Sequence, residues 1–161
     1  MNDLHIREAQ RVDLDTIVAL ENRIFSYNQL SRASLRHFIR TPTADLIVAE
    51  AAGALLGYAL VCYRAGSHTA RLYSICADSS GGRRGVGREL LKHAEMRARA
   101  HHIRKLQLEV KDDNDPAIRL YNSMNYREFG RYEDYYDDGR DALRFEKSLL
   151  SPVHAAATLA P

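Results

Sequence analysis

Residues 70–100 constrain the fold most. Ala70-Arg71-Leu72-Tyr73-Ser74-Ile75-Cys76-Ala77 is a strand-like run, and it breaks at Asp78-Ser79-Ser80-Gly81-Gly82. From Gly85 to Ala100 the spacing becomes helical, with Val86, Leu90, Ala94 and Ala98 on one apolar stripe. Arg88, Glu89, Lys92, Glu95 and Arg99 are expected outside that stripe. Strand, turn and helix are consecutive, which sets the turn at the positive end of the helix dipole.

The rest of the chain supplies more elements of both kinds. Leu4-His5-Ile6-Arg7 alternates as a short strand, and Asp13 is expected to cap a helix with apolar positions Leu14, Ile17, Val18 and Leu20. A second helix runs from Ser31 or Ser34 through Ile39 and stops at Thr41-Pro42. Between the helices, Phe25-Ser26-Tyr27-Asn28-Gln29 reads either as a pocket wall or as a loop whose aromatics pack on the core. Leu46 to Tyr63 is 18 residues long, mostly apolar and close to the length of a membrane span, but Glu50 and two glycines interrupt it. It reads better as strands Ala44–Glu50 and Leu55–Cys62 around the turn Ala51-Ala52-Gly53. Lys105–Val110 alternates as a strand, and the helix after it is expected to have Asp115 at its N-cap, Pro116 at its first helical position and its end near Met124, with Asn125 left-handed. Strands at about Tyr126–Tyr135 and Asp141–Lys147 follow, joined by Asp137-Asp138-Gly139-Arg140. The expectation is one domain over 1–150 and a disordered tail over 151–161, with a single core.

Charge names no partner, since 23 basic side chains face 21 acidic ones for a net charge of +2. Cys62 and Cys76 form no CxxC pair, and the N-terminus lacks the basic and apolar regions of a secretory signal, so a reduced, cytoplasmic protein is expected. The seven histidines show no ligand spacing, and His101-His102 at a helix end suit the C-terminal dipole, so no metal is expected.

The turn Arg83-Arg84-Gly85-Val86-Gly87-Arg88 carries the chemistry. Glycines at a helix N-terminus offer unobstructed backbone N–H groups to an anion, and three arginines add charge that suits phosphate. A dinucleotide fingerprint would need glycine where Leu90 stands, and a Walker A loop would need Lys-Ser/Thr where Arg88-Glu89 stand. The plain alternative is a helix start with a solvated arginine cluster.

With these residues the chain resembles the GNAT acetyltransferases, whose signature Q/R-x-x-G-x-G/A lies between the fourth strand and the third helix. Gly82-Arg83-Arg84-Gly85-Val86-Gly87 matches in the glycines and departs at Gly82. The resemblance extends through Leu108-Glu109-Val110, Asn114, Ala117, Leu120-Tyr121 and Tyr126, covers residues 3–149 in element order, and is greatest to the ribosomal-protein-alanine N-acetyltransferase subgroup. It implies an α/β GNAT fold in one domain, with a mixed, mostly antiparallel sheet of six to seven strands flanked by about four helices. It also implies acetyl-CoA as cosubstrate, held by backbone groups of Ile75, Cys76 and Ala77, by Arg83, Arg84, Gly85, Val86, Gly87 and Arg88 at the pyrophosphate, and by Asn114. Glu109 then takes the position of the general base and Tyr121 that of the general acid.

Acyl transfer to an amine needs both types of group. A protonated amine has no lone pair and must lose a proton, which a glutamate takes directly or through water, best when its pKa is raised above about 4.3. The departing thiolate needs a proton, and a tyrosine near pKa 10 supplies one. A solvent-facing strand glutamate and a core tyrosine are the plain alternatives. The acidic, aromatic segment Glu133–Asp138 occupies the place where related N-terminal acetyltransferases border the peptide cleft. Against that, the subgroup's Pro-Trp between the first two helices is missing, since the chain has no tryptophan.

The expected activity is acetyl transfer from acetyl-CoA to a primary amine, a protein or peptide α-amino group, with a small-molecule amine as the alternative. The expected protein is a monomer or homodimer that engages neither membrane nor nucleic acid. A different class is a catalytically inactive CoA-sensing domain or a nucleic-acid-binding module, the latter suggested by Arg83, Arg84, Arg88, Lys92, Arg97, Arg99, Arg104 and Lys105.

Overall fold

Seven strands hydrogen-bond into one mixed sheet in the order β1-β2-β3-β4-β5-β7-β6. The structure is a computed structural model and describes residues 3–25, 29–78 and 83–150. Expectations that fall on Gly82, on Ser26–Asn28 and on the tail 151–161 lie outside these residues. The strands are β1 (His5–Glu8), β2 (Ala44–Ala51), β3 (Ala54–Cys62), β4 (Thr69–Ala77), β5 (Lys105–Lys111), β6 (Arg127–Tyr132) and β7 (Ala142–Ser148). The helices are α1 (Leu14–Ile24), α2 (Arg32–Arg40), α3 (Val86–Ala100) and α4 (Asp115–Ser123), with a 3-10 turn over Arg11–Asp13. All strand neighbours are antiparallel except β4 and β5.

The apolar run at Leu46–Tyr63 is the β2–β3 hairpin, whose turn places Ala52 and Gly53 at positive φ. Among the described residues no helix is long and apolar enough to cross a membrane. The sheet separates two cores. One gathers Leu90, Leu91, Ala94 and Ala98 of α3 against Val61, Leu72, Leu106, Leu108 and Phe145. The other packs Ile17 and Leu20 of α1 and Leu35 of α2 on Leu46, Val48, Tyr58, Leu60 and Cys76. Each such fully buried leucine or isoleucine contributes on the order of 1.5–3 kcal/mol.

Several local expectations are corrected. Asp13 precedes α1, but its carboxylate caps no N–H of that helix and instead binds the Arg7 guanidinium at 2.8 Å and accepts from the Gln10 N–H at 2.7 Å. The helix α3 starts one residue later than expected, at Val86, with Gly85 left-handed at φ 84°. Asn114 rather than Asp115 caps α4, its Oδ1 accepting from the Ala117 N–H at 3.3 Å. Glu95 is not on the solvent face: it is buried, accepts from the Tyr126 hydroxyl at 2.7 Å and meets the Lys147 ammonium at 2.9 Å. Of the two expected starts of α2, Ser31 is the one that caps it, through the Ser34 N–H, and Asn125 is left-handed at φ 70°, as expected.

Candidate active site

The parallel seam between β4 and β5 is short. Thr69, Ala70 and Arg71 pair with Lys105, Leu106 and Gln107, and there the ladder ends although β4 runs on to Ala77 and β5 to Lys111. The cause lies on the other edge of β4. Leu60 pairs with Ser74 but Val61 pairs with Leu72, so Tyr73 is the extra residue of a bulge, which bends the strand just past the last β5 contact. Beyond it the two strands diverge and leave backbone groups of β4 free of a β5 partner.

A cleft of about 520 Å³ fills the divergence. Arg71–Ile75 of β4 and Glu109–Lys111 of β5 form its floor, Asn114, Ala117 and Tyr121 of α4 one wall, Glu21, Phe25, Gln29 and Leu30 another, and Tyr135 and Tyr136 its rim. Ile75, Glu109, Asn114 and Tyr121, expected from the sequence to share a site, therefore meet here. So do Phe25 and Gln29 from the inter-helix loop, and the acidic, aromatic segment through its two tyrosines.

Glu109 is 11% exposed and is bound by the Arg71 Nε at 3.1 Å, while Arg71 also donates to the Tyr135 hydroxyl at 3.2 Å and lies over the Tyr73 ring. Burial opposes the charge of Arg71, but Glu109 and Tyr135 together hold its pKa above the ordinary arginine value. Tyr121 is 4% exposed and stands against the rings of Tyr126 and Phe145. Burial, reinforced by Tyr136, pushes its pKa well above 10, which keeps the phenol protonated and able to donate. Among the described residues none hydrogen-bonds the Tyr121 hydroxyl.

The remaining expected contacts do not all lie in this cleft. Cys76 faces the α1 and α2 core, and burial, then the charges of Glu21 and Asp78, push its thiol up to about 12, so it is an inert core group. Ala77 is exposed at the end of β4. Arg83, Arg84, Gly85 and Arg88 border a separate hollow beside Leu4, His5 and Ile6. Val86 is buried in the core, and Arg88 donates to the Ser123 Oγ at 2.7 Å, bridging α3 to the end of α4. Gly87 joins the two regions, since a Cβ there would lie 3.4 Å from the Leu120 Cδ2 and 3.9 Å from the Ala77 Cβ. A long thioester ligand needs a gap between strands and a helix start it can approach closely; the β4–β5 gap is present, and among the described residues nothing lies within 4 Å of where a Cβ on Gly85 would sit.

Sequence reasoning missed three residues. Arg71 was only a strand residue until β4 and β5 brought it to Glu109. Glu21 carried no local motif. Gly57 is required because a Cβ there would sit 2.3 Å from the Cys76 carbonyl oxygen, at the end of β4 that borders the site.

Four cations of the basic run from the turn to β5 are engaged in internal pairs. Arg97 meets Glu8 and Asp45, Lys92 meets Glu89, Arg99 meets Glu95, and Lys105 meets Glu146. These four cations are committed to the fold, whereas Arg83, Arg84 and Arg88 border the hollow before α3.

Comparison with known proteins agrees with this geometry. The sequence profile of the acetyltransferase (GNAT) family matches residues 14–126. The chain is 28% identical over 152 residues to an N-alpha-acetyltransferase of Sulfurisphaera tokodaii, covering 87% of this chain and 90% of that one. It is also 28% identical over 146 residues to the N-alpha-acetyltransferase RimI of Mycobacterium tuberculosis, covering 88% and 90%. Its fold is similar to that of the ribosomal-protein-S18-alanine N-acetyltransferase of Escherichia coli, with a TM-score of 0.81 at 24% identity over 92% of this chain and 96% of that one. The splayed β4–β5 seam, the glycine turn before α3 and a profile match over most of the domain lead to one conclusion: the chain belongs to the acetyltransferase (GNAT) family and is an acetyl-CoA-dependent N-acetyltransferase.

Proposed function

We propose that the protein transfers the acetyl group of acetyl-CoA to the α-amino group of a protein or peptide N-terminus, by direct attack through a tetrahedral intermediate. The observation that carries this reading is the convergence of Glu109, Tyr121 and the stretch of β4 that has no β5 partner in one cleft rimmed by Tyr135 and Tyr136. The relatives named as N-alpha-acetyltransferases and as a ribosomal-protein-alanine N-acetyltransferase support the choice of an α-amine acceptor.

Acetyl-CoA supplies an electrophilic thioester carbonyl. In this reading Arg83, Arg84, Gly85, Val86, Gly87 and Arg88 hold its pyrophosphate at the start of α3, and Asn114 and the backbone of Ile75, Cys76 and Ala77 hold the acetyl-bearing arm. Glu109 takes the proton from the acceptor ammonium, directly or through water. Arg71 fixes the carboxylate in place through its Nε at 3.1 Å. Backbone N–H groups on the β5-facing edge of β4 stabilise the oxyanion, each donor worth ~3 kcal/mol. Tyr121, protonated and buried, gives its proton to the departing thiolate, and the second proton shed by the acylated nitrogen returns through water to the phenolate.

The test is thiol release from acetyl-CoA over a panel of N-terminal peptides, their N-blocked forms and small amines. Turnover of free-N-terminus peptides above the rest is expected. Preference for a small amine would move the acceptor assignment to that class, and silence across the panel would refute the activity.

A further inference from the structure

Glu21, in the last turns of α1, is a cleft carboxylate without a role in the reaction above. It is 1% exposed and faces the cleft together with Phe25, Gln29, Leu30 and Ile75. Its Oε2 accepts the Leu30 N–H at 2.8 Å, which ties the end of the inter-helix segment to α1. Among the described residues no cation pairs with Glu21, and no donor reaches its Oε1. The other charges in the cleft are matched, Glu109 by Arg71 and Lys111 by Asp138.

A buried carboxylate with one hydrogen bond and no counter-charge is an unfavourable arrangement, and burial accordingly pushes its carboxyl above the usual range, only partly offset by Leu30. What relieves it is a cation with N–H donors, small enough to enter the cleft. A primary ammonium fits this description. We propose that Glu21 receives the acceptor's ammonium through Oε1 and so selects the charged amine over its neutral amide. The inference rests on the amine-acetylation reading and deepens it: the same contact that draws in the substrate is lost once the nitrogen is acetylated, which favours release of product.

The test compares a short peptide with a free N-terminal alanine and its N-acetylated twin, both titrated calorimetrically into the CoA-loaded protein. The wild type is expected to bind the free amine on the order of tenfold or more tighter than the twin. Glu21→Gln keeps an oxygen for the Leu30 N–H and loses only the charge, so it is expected to bind the two peptides alike, with acetyl-CoA affinity unchanged and the rise confined to the acceptor KM. Glu21→Ala, which also unties Leu30, serves as the structural control and is expected to weaken both peptides. A Gln variant that retains the wild-type preference overturns the proposal, as does a wild type that shows none. Acetyl transfer is scored separately: preferential amine binding without transfer sinks the proposed activity and leaves the role of Glu21 standing, whereas wild-type kcat/KM in Glu21→Gln sinks the role of Glu21 alone.

Discussion

Buried carboxylates are treated in opposite ways at the C-terminal end of α3 and in the β4–β5 cleft. At the first, Asp45 accepts from the Tyr63 hydroxyl at 2.6 Å and the Arg97 guanidinium at 2.8 Å, and the His101 Nε2 lies 3.2 Å away with its ring stacked on Tyr63. Burial alone would raise the Asp45 carboxyl, but the Arg97 and Tyr63 hydrogen bonds outweigh it and hold it below the usual carboxylate range. In the cleft, Glu21 is more deeply buried and has one backbone donor. The first region spends its polar groups on the fold. The second leaves a charge and a phenol unsatisfied where a ligand can enter, which marks it as the place where stability has been given up for chemistry.

The largest expected effect separates the regions by activity. Glu109→Gln and Tyr121→Phe are each expected to lower turnover by about 10²–10⁴, the usual range for general acid–base groups, with acetyl-CoA affinity and melting temperature near wild type. Stopped-flow or steady-state thiol release together with a thermal melt checks this, and wild-type rates in both variants would erase the distinction. Asp45→Asn is expected to do the reverse. It should destabilise by about 2–3 kcal/mol in urea unfolding, below the ~3–5 kcal/mol of a fully buried broken pair because Arg97 is partly exposed and keeps Glu8, and leave turnover intact.

The pH dependence follows in sign. Because the folded-state pKa of Asp45 lies below its ordinary value of 3.8, its contribution is present above about pH 4 and is lost as pH falls through the folded value. The stability gap between wild type and Asp45→Asn should therefore narrow below pH 4, as measured by unfolding midpoints across pH. A gap constant down to pH 2 would show that the ionised carboxylate is not what stabilises that end of the molecule. Glu21 carries the opposite sign: a carboxyl raised by burial loses stability as pH rises from its ordinary value of 4.5 through its folded value, and the full cost remains above that. Glu21→Gln is expected to leave the protein as stable as wild type or to stabilise it by under about 1 kcal/mol at neutral pH. A clear loss of melting temperature would assign Glu21 to the fold rather than to the acceptor.

Local periodicity and turn chemistry made most elements legible in advance. The α3 stripe Val86, Leu90, Ala94 and Ala98 is buried, the hairpin turns at Ala52-Gly53, and Ser31 caps α2. What stayed hidden depends on partners far along the chain. Glu95 looks like any helix-surface glutamate until Lys147, 52 residues on, arrives across the core. Asp13 looks like a helix cap until β1 presents Arg7. The pairing of Arg71 with Glu109 exists only because β4 and β5 are parallel neighbours. The turn before α3 was the clearest signal, and it speaks to the nucleotide end of the cofactor. The acceptor end is assembled from α1, β4, β5, α4 and the segment after β6, no two of which announce each other in sequence.

Acetyl transfer to a defined nitrogen is the most direct test of the whole account. The protein, acetyl-CoA and a peptide with a free N-terminal alanine are incubated, and the acetyl group is located by fragmentation mass spectrometry in wild type and in the Glu109→Gln, Tyr121→Phe double variant. The account predicts acetylation of the α-nitrogen by the wild type and its near disappearance in the double variant. Tight acetyl-CoA binding with no acetylated nitrogen, or equal transfer by both proteins, would contradict it.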